Sequence, residues 1–248
     1  MSLNSINENA KIGSNVRLGH FTVIEEDVVI GDNSVIGNNV TIYKGSKIGK
    51  NSRIDDNTVI GKQPMKAATS VTSEDNLQPP CQLGDSMIIG TSVVIYAGCT
   101  IGDKCLVADL STIRENVKIG TKTIIGRGVA VENYCNIGSY CKLETNVYIT
   151  AYSDIEDYVF IAPGVVTSND NFAGRDPERF KYFKGVTVKK GGRIGAQATV
   201  LPGKVIYEDG LVGAGSVVTK DVEKGKIVLG NPSRPHGDVP DKQLLKNQ

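Results

Sequence analysis

LGDSMIIGTSVVIYAGCTIGDKCLVADLSTI, residues 83–113, carries an aliphatic side chain at every sixth position: Leu83, Ile89, Ile95, Ile101, Val107 and Ile113. The register continues without a slip to Ile161, fourteen hexapeptides in all. Neither an α-helix, with a period of 3.6, nor a flat strand, with a period of 2, demands a six-residue repeat. A chain that bends after each short strand, always at the same phase, does demand it, and such repeats are the signature of a parallel β-helix. Two residues before most aliphatics sits a small or β-branched one, such as Val93, Cys99, Cys105 or Ser111. Residues two apart in a strand share a face, so both slots point inward. Glycine often follows the aliphatic, as at Gly84, Gly90 and Gly102, where a corner needs close backbone approach. Every third repeat departs from this: Ile95, Ile113, Val131 and Ile149 are followed by Tyr96, Arg114, Glu132 and Thr150. One side in three is therefore different. A coil is three hexapeptides, 18 residues, and its cross-section is a triangle.

Outward from this stretch, an earlier ladder runs from Ile12 to Ile60 and a later one from Val188 to Val218. The reading is all-β, one domain over 1–248, with coils at 12–61, 83–166 and 188–222. Residues 1–11 are a lead-in, and 223–248 a tail in which Asp241 to Lys246 forms a short helix. The 29 hexapeptides make about ten coils, a prism roughly 45 Å long at the spacing of neighbouring strands. Two loops interrupt the rhythm. The first, 62–82, contains Gln63-Pro64-Met65-Lys66 and ends near Pro79-Pro80; the second, 167–187, holds three of the five phenylalanines amid Asn, Asp and Arg. Insertions in repeat proteins concentrate on one face, often the binding face.

The composition, 40% hydrophobic and 22% charged with a formal charge of +1, fits a soluble globular chain. Neutral balance argues against a nucleic-acid surface, and no apolar run is long enough to span a membrane. The five cysteines (Cys81, Cys99, Cys105, Cys135, Cys141) share the small inward slot, where free Cys packs as a small hydrophobe. Their odd number, with no signal-like segment, points to a reducing, cytoplasmic setting.

Over nearly its whole length the chain resembles the hexapeptide-repeat acyltransferases. The resemblance rests on the Ile/Val-Gly ladder and on the closing Val212-Gly-Ala-Gly-Ser-Val-Val-Thr-Lys-Asp-Val222 with Gly230-Asn-Pro232. It implies a left-handed coil, although parallel crossovers in general are right-handed. It also implies an acyl-CoA co-substrate, no metal, and a cyclic homotrimer with sites between subunits. Ser168-Asn-Asp-Asn171 followed by Gly174-Arg175, and the Gly61-Lys-Gln-Pro-Met65 loop, resemble nucleotide-sugar N-acyltransferases of surface-polysaccharide synthesis. Their acceptor is the amino group of a dTDP- or UDP-linked sugar.

Transfer from a thioester to an amine needs a neutral amine, a stabilised oxyanion and alignment of both substrates. Many relatives use a central histidine base, but His20 and His236 both fall outside the central ladder, His20 on a solvated corner and His236 in a mobile tail. Two histidines also fail the three-His zinc site of a γ-type carbonic anhydrase. Carboxylates remain. Stacking by 18 residues sets Asp109 beside Arg127, and Arg114 against Glu132 with Tyr96 and Thr150 on either side. These are either surface ladder pairs of little energetic weight or the lining of a cleft between prisms. On the second reading Asp109, by family analogy, is the preferred base and Glu132 the next choice. Arg114, Asn133, Asn169, Asp170 and Arg175 are the expected acceptor contacts. Amides near Ala196 and Ala214, with Lys190, Lys220, Pro232 and Arg234, are the expected acyl-CoA contacts. The competing functions are a sugar O-acetyltransferase and a non-catalytic oligomerisation scaffold.

Overall fold

A computed structural model describes residues 3–69 and 76–248; residues 1–2 of the lead-in and 70–75 of the first loop lie outside the described residues. Its strands, mostly of two residues, form sheets of 11, 10 and 12 strands, the faces of a left-handed triangular parallel β-helix. Face A contains Val94–Tyr96, Thr112–Ile113, Ala130–Val131 and Tyr148–Ile149; face B contains Thr100–Ile101 and Lys118–Ile119; face C contains Leu106–Val107 and Ile124–Ile125. Successive coils pair in register at the expected spacing, Val94 with Thr112 and Thr112 with Ala130. The second residue of almost every strand is the ladder aliphatic, and from Ile24 to Val218 nearly all of these are buried. Each fully buried Ile or Val contributes about 1.5–3 kcal/mol. The corners hold non-glycine residues at positive φ, among them Asn33 at 59° and Asn39 at 54°, a conformation that Asn tolerates better than most residues.

The inward small slot also has a polar task. Ser111 Oγ and Thr123 Oγ1 donate to Gly126 O and Gly138 O, both at 2.8 Å, and the Cys99 and Cys105 thiols donate to Arg114 O and Gly120 O at 2.9 and 3.0 Å. Cysteine thus does here what Ser and Thr do in neighbouring coils. All five cysteines are free and buried, and burial pushes the Cys99 and Cys135 thiols up to about 12.

The prism is longer than expected at both ends. Ser5–Ile6 already pairs with Val23–Ile24, so residues of the presumed lead-in form a first coil. At the other end Lys226–Leu229 adds to face C in parallel, and Arg234–Asp238 pairs back on it antiparallel. Residues 226–238 therefore prolong a face instead of leaving it, and His236 lies on an exposed strand, not in a loose tail. The terminal segment forms two short 3-10 turns, Asp241–Gln243 and Leu245–Asn247. Among the described residues no helix is long and apolar enough to cross a membrane.

Candidate active site

Both loops leave the prism at one corner, where face A turns into face B. The first departs after Val59–Lys62 and returns at Gln82–Leu83; the second departs after Val166–Thr167 and returns at Thr187–Val188. Each departure has a local cause. Gly61, at φ 80°, forms a bulge that slips the register, so that Lys62 and not Gly61 pairs with Tyr96. At the second, a polar residue replaces the ladder aliphatic: Thr167 is buried and its hydroxyl accepts the Thr150 N–H at 2.8 Å. The first loop is clamped at its base, where Gln63 Nε2 donates to Gln78 O at 3.0 Å and Gln78 N to Gln63 Oε1 at 2.8 Å. Asn116 Nδ2 then ties Gln78 Oε1 to the corner at 2.8 Å.

Between the two loops the AB corner carries the column Tyr96, Arg114, Glu132 and Thr150. Arg114 is held on three sides. Its guanidinium lies 5.0 Å from the Tyr96 ring centroid, and Lys62 Nζ lies 5.4 Å from the same centroid. Its Nε and Nη2 form a fork to Glu115 at 2.8 and 3.0 Å. Its Nη1 reaches Glu132 Oε2 at a looser 3.5 Å. Glu115 had no place in the sequence reading, yet its side chain is only 2% exposed, against 25% for Glu132. Burial pushes the Glu132 carboxyl above the usual carboxylate range; Arg114 opposes the rise, the Glu115 charge adds to it, and a hydrogen bond from Tyr148 opposes it. Burial likewise raises the Tyr148 hydroxyl, and the Glu132 charge adds to that rise. A half-buried carboxylate with raised proton affinity, open to solvent on one side, is a stronger proton acceptor than a solvated one.

Asn133 is buried next to this column. Asn169 and Asp170 begin the second loop, but Asp170 is engaged in shaping it: its carboxylate accepts the N–H groups of Phe172 and Gly174 at 2.8 and 2.9 Å and pairs with Arg179 at 3.0 Å. Desolvation opposes the Asp170 charge, but these partners together hold its carboxyl below the usual range. Arg175 is exposed on the same loop. The acceptor-side residues expected from sequence thus gather at one corner.

Within one chain Asp109 does not join them. It lies at the CA corner, across face A, where its exposed carboxylate accepts the Thr91 N–H at 2.8 Å. Asp56 and Asn38 do the same for Asn38 and His20 at 2.6 and 2.8 Å. The arrangement is tight enough that a Cβ on Gly90 would collide with Asp109 Oδ1. The residues expected to hold acyl-CoA divide. Ala196 and Ala214 stack at the CA corner, and the turn through Pro232 brings Arg234 beside Leu229 at the end of that corner. Lys190 lies at the BC corner, its N–H bonded to Glu156 Oε2 at 2.9 Å, and Lys220 follows Val217–Val218 at the AB corner. In one chain the two lysines do not share a site with Ala196 and Ala214.

Family models agree with the repeat. Residues 9–44 match the bacterial transferase hexapeptide (six repeats), and 27–62 match the hexapeptide repeat of succinyl-transferase. Over 57 residues the chain is 46% identical to the dTDP-3-amino-3,6-dideoxy-alpha-D-galactopyranose 3-N-acetyltransferase of Aneurinibacillus thermoaerophilus, covering 23% of this chain and 30% of that protein. The chain thus spans less than a third of that relative's length. Among solved structures, the Arabidopsis UDP-N-acetylglucosamine acyltransferase superposes with a TM-score of 0.65 at 18% identity, over 96% of this chain and 73% of that one. At that identity the likeness speaks for the fold. By its repeats and its coil, the chain has the hexapeptide-repeat left-handed β-helix fold, and its matching segments are similar to hexapeptide-repeat transferases.

Proposed function

We propose that the protein is an N-acyltransferase that moves an acyl group, acetyl in the simplest case, from acyl-CoA to the amino group of a dTDP- or UDP-linked amino sugar. The observation that carries this reading is the AB corner, where the loops at 62–82 and 167–187 bracket Tyr96, Arg114, Glu115 and Glu132. Local identity to a dTDP-amino-sugar N-acetyltransferase supports the choice of acceptor. In this reading Glu132, not Asp109, accepts a proton from the attacking amine. The nitrogen–acyl bond forms, the carbon–sulfur bond breaks, and the departing thiolate takes up a proton. Asn169 orients the sugar and Arg175 offers its fork to the diphosphate; Asn133, expected from sequence as an acceptor contact, is buried and supports the corner from within instead.

Ala196, Ala214, Pro232 and Arg234 are the donor-side candidates, with the corner amides along the pantetheine arm and Arg234 at a phosphate. They sit on the opposite edge of face A from Glu132, so one chain does not bring donor and acceptor sets together. A second copy with its CA corner against the AB corner of the first would complete the site, and a closed ring of three does so for every copy. Face A suits such packing. The first, outward residue of each of its 11 strands, from Ser5 to Val217, is uncharged, and Lys62, where the strand Val59–Lys62 runs into the loop, is the charged exception, whereas face B presents Lys11, Lys47, Lys118 and Asp154.

The test is thiol release from acetyl-CoA with dTDP- and UDP-linked amino sugars and with hydroxyl-only counterparts, alongside light scattering. Turnover that needs the amino group, from a trimer, is expected. Turnover of hydroxyl acceptors alone would establish O-acylation instead. A monomer that is fully active would remove the shared site.

A further inference from the structure

Among the described residues, Glu115 is the one charged side chain that is fully buried. Its neighbours in the 18-residue column are Ala97, Asn133 and Ala151, all likewise buried, so the corner closes without a carboxylate at this position. Burying an ion pair is weak evidence for stability, since apolar residues of similar volume often serve the fold as well or better. The geometry instead relates Glu115 to Glu132. The two carboxylates compete for one guanidinium. Glu115 takes Nε and Nη2 in the fork at 2.8 and 3.0 Å, and leaves Glu132 with Nη1 at 3.5 Å. Arg114 is further fixed over Tyr96. With the fork unoccupied, the next acceptor in the column is Glu132, one strand spacing away at about 4.8 Å. A bidentate pair there would neutralise that carboxylate and draw it from the solvent-facing side of the corner.

We infer that Glu115 is a positioning residue, which occupies the Arg114 fork so that Glu132 is only loosely paired and remains a proton-accepting carboxylate. This rests on Glu132 being the base in the proposed reaction. The groups facing Glu132 are Arg114 and Glu115 from the preceding coil, Tyr148 from the coil after it, and the buried Cys135 thiol. Arg114 is the only cation among them, which is why its engagement decides the outcome. The Glu115 charge is among the causes that raise the Glu132 carboxyl, after burial.

The experiment is a carbon-13 carboxyl NMR titration of the full chain, with the Glu132 signal assigned by its loss in Glu132→Gln, compared between wild type and Glu115→Gln. In parallel, kcat/KM is followed against pH. Glu115→Gln is expected to move the Glu132 midpoint to lower pH, to shift the acid limb of kcat/KM the same way, and to lower kcat at neutral pH by about tenfold. Glu115→Asp keeps the charge and is expected to hold the midpoint near the wild-type value; it also serves if Glu115→Gln does not fold. An unmoved Glu132 midpoint in Glu115→Gln, or a fall in Glu115→Asp to that of a free glutamate, would overturn the inference. The titration reads the carboxyl directly, so it stays decisive even if Glu132→Gln proves fully active and the base assignment falls.

Discussion

The AB and CA corners are made by the same hexapeptide and use their polar residues in opposite ways. At the CA corner Asn38, Asp56 and Asp109 each turn an oxygen toward a backbone N–H one coil away. These side chains serve the chain itself, and each such hydrogen bond contributes about 1 kcal/mol. At the AB corner Tyr96, Arg114, Glu115 and Glu132 turn toward one another, and the arrangement includes a buried carboxylate and a carboxyl with raised proton affinity. One corner is spent on the fold. The other accepts desolvation that the fold does not require, and it is the corner from which both loops emerge. A polar residue in a repeat is therefore informative through its partner: a backbone partner marks a structural role, and a side-chain partner under partial burial marks a candidate site.

The contrast can be broken most sharply by removing a cation from each corner. Arg114→Ala strands the Glu115 carboxylate without its fork and is expected to destabilise by about 3–5 kcal/mol. Arg127→Ala, exposed near the CA corner, is expected to stay within about 0.5 kcal/mol of wild type. Urea unfolding of the two variants gives the comparison, and equal losses would erase the distinction.

A smaller effect is expected on the loop. Arg175→Ala should raise KM for the sugar nucleotide about tenfold with kcat nearly kept, the pattern for loss of a contact made equally in ground and transition states. An unchanged KM would leave Arg175 out of the site and place acceptor binding on the corner residues alone.

The smallest effect concerns stability and its sign with pH. Burial, the leading cause, raises the Glu132 carboxyl above its ordinary 4.5 in the folded chain. The folded state then holds this proton more tightly than the unfolded state, so stability falls as pH rises from about 4.5 through the raised value. Glu132→Gln is therefore expected to raise Tm slightly at neutral pH, with the gain vanishing at pH 4 and below. A lowered Tm at neutral pH would mean that the loose contact with Arg114 outweighs the cost of burial.

Much of this was legible in the chain. The period of six gave the strands and the period of 18 set Tyr96, Arg114, Glu132 and Thr150 in one column, as found. The register also held the means to separate Lys190, Ala196 and Lys220. Each lies two residues after an inward aliphatic, so their phases assign them to three successive corners. Asp109 could be read likewise, since Asp85 and Asp103, 18 apart, form the same kind of cap, Asp103 accepting the Asp85 N–H at 2.8 Å. The choice of Asp109 as base rests on the family resemblance alone, and the register by itself reads it as a cap. Glu115 was not legible as a buried charge. Periodicity says that it stands on a corner, where most residues are solvated, and its burial comes from how this corner closes. The one available signal was a glutamate in a column with Ala97 and Ala151. The ends are less legible, because Ser5–Ile6 has a neighbouring coil on one side only and Lys226–Leu229 joins face C out of hexapeptide phase.

The measurement that bears most directly on the division of labour between the corners is kcat for Glu132→Gln beside Asp109→Asn, with acetyl-CoA and a dTDP-linked amino sugar across pH 6 to 9. Asn38 caps the CA corner as an amide, so Asp109→Asn preserves the cap and is expected to leave kcat within about twofold of wild type. Glu132→Gln is expected to lower kcat by about 100-fold or more with a modest change in KM. A large loss in Asp109→Asn together with near-normal turnover in Glu132→Gln would contradict the account and return the base to the CA corner.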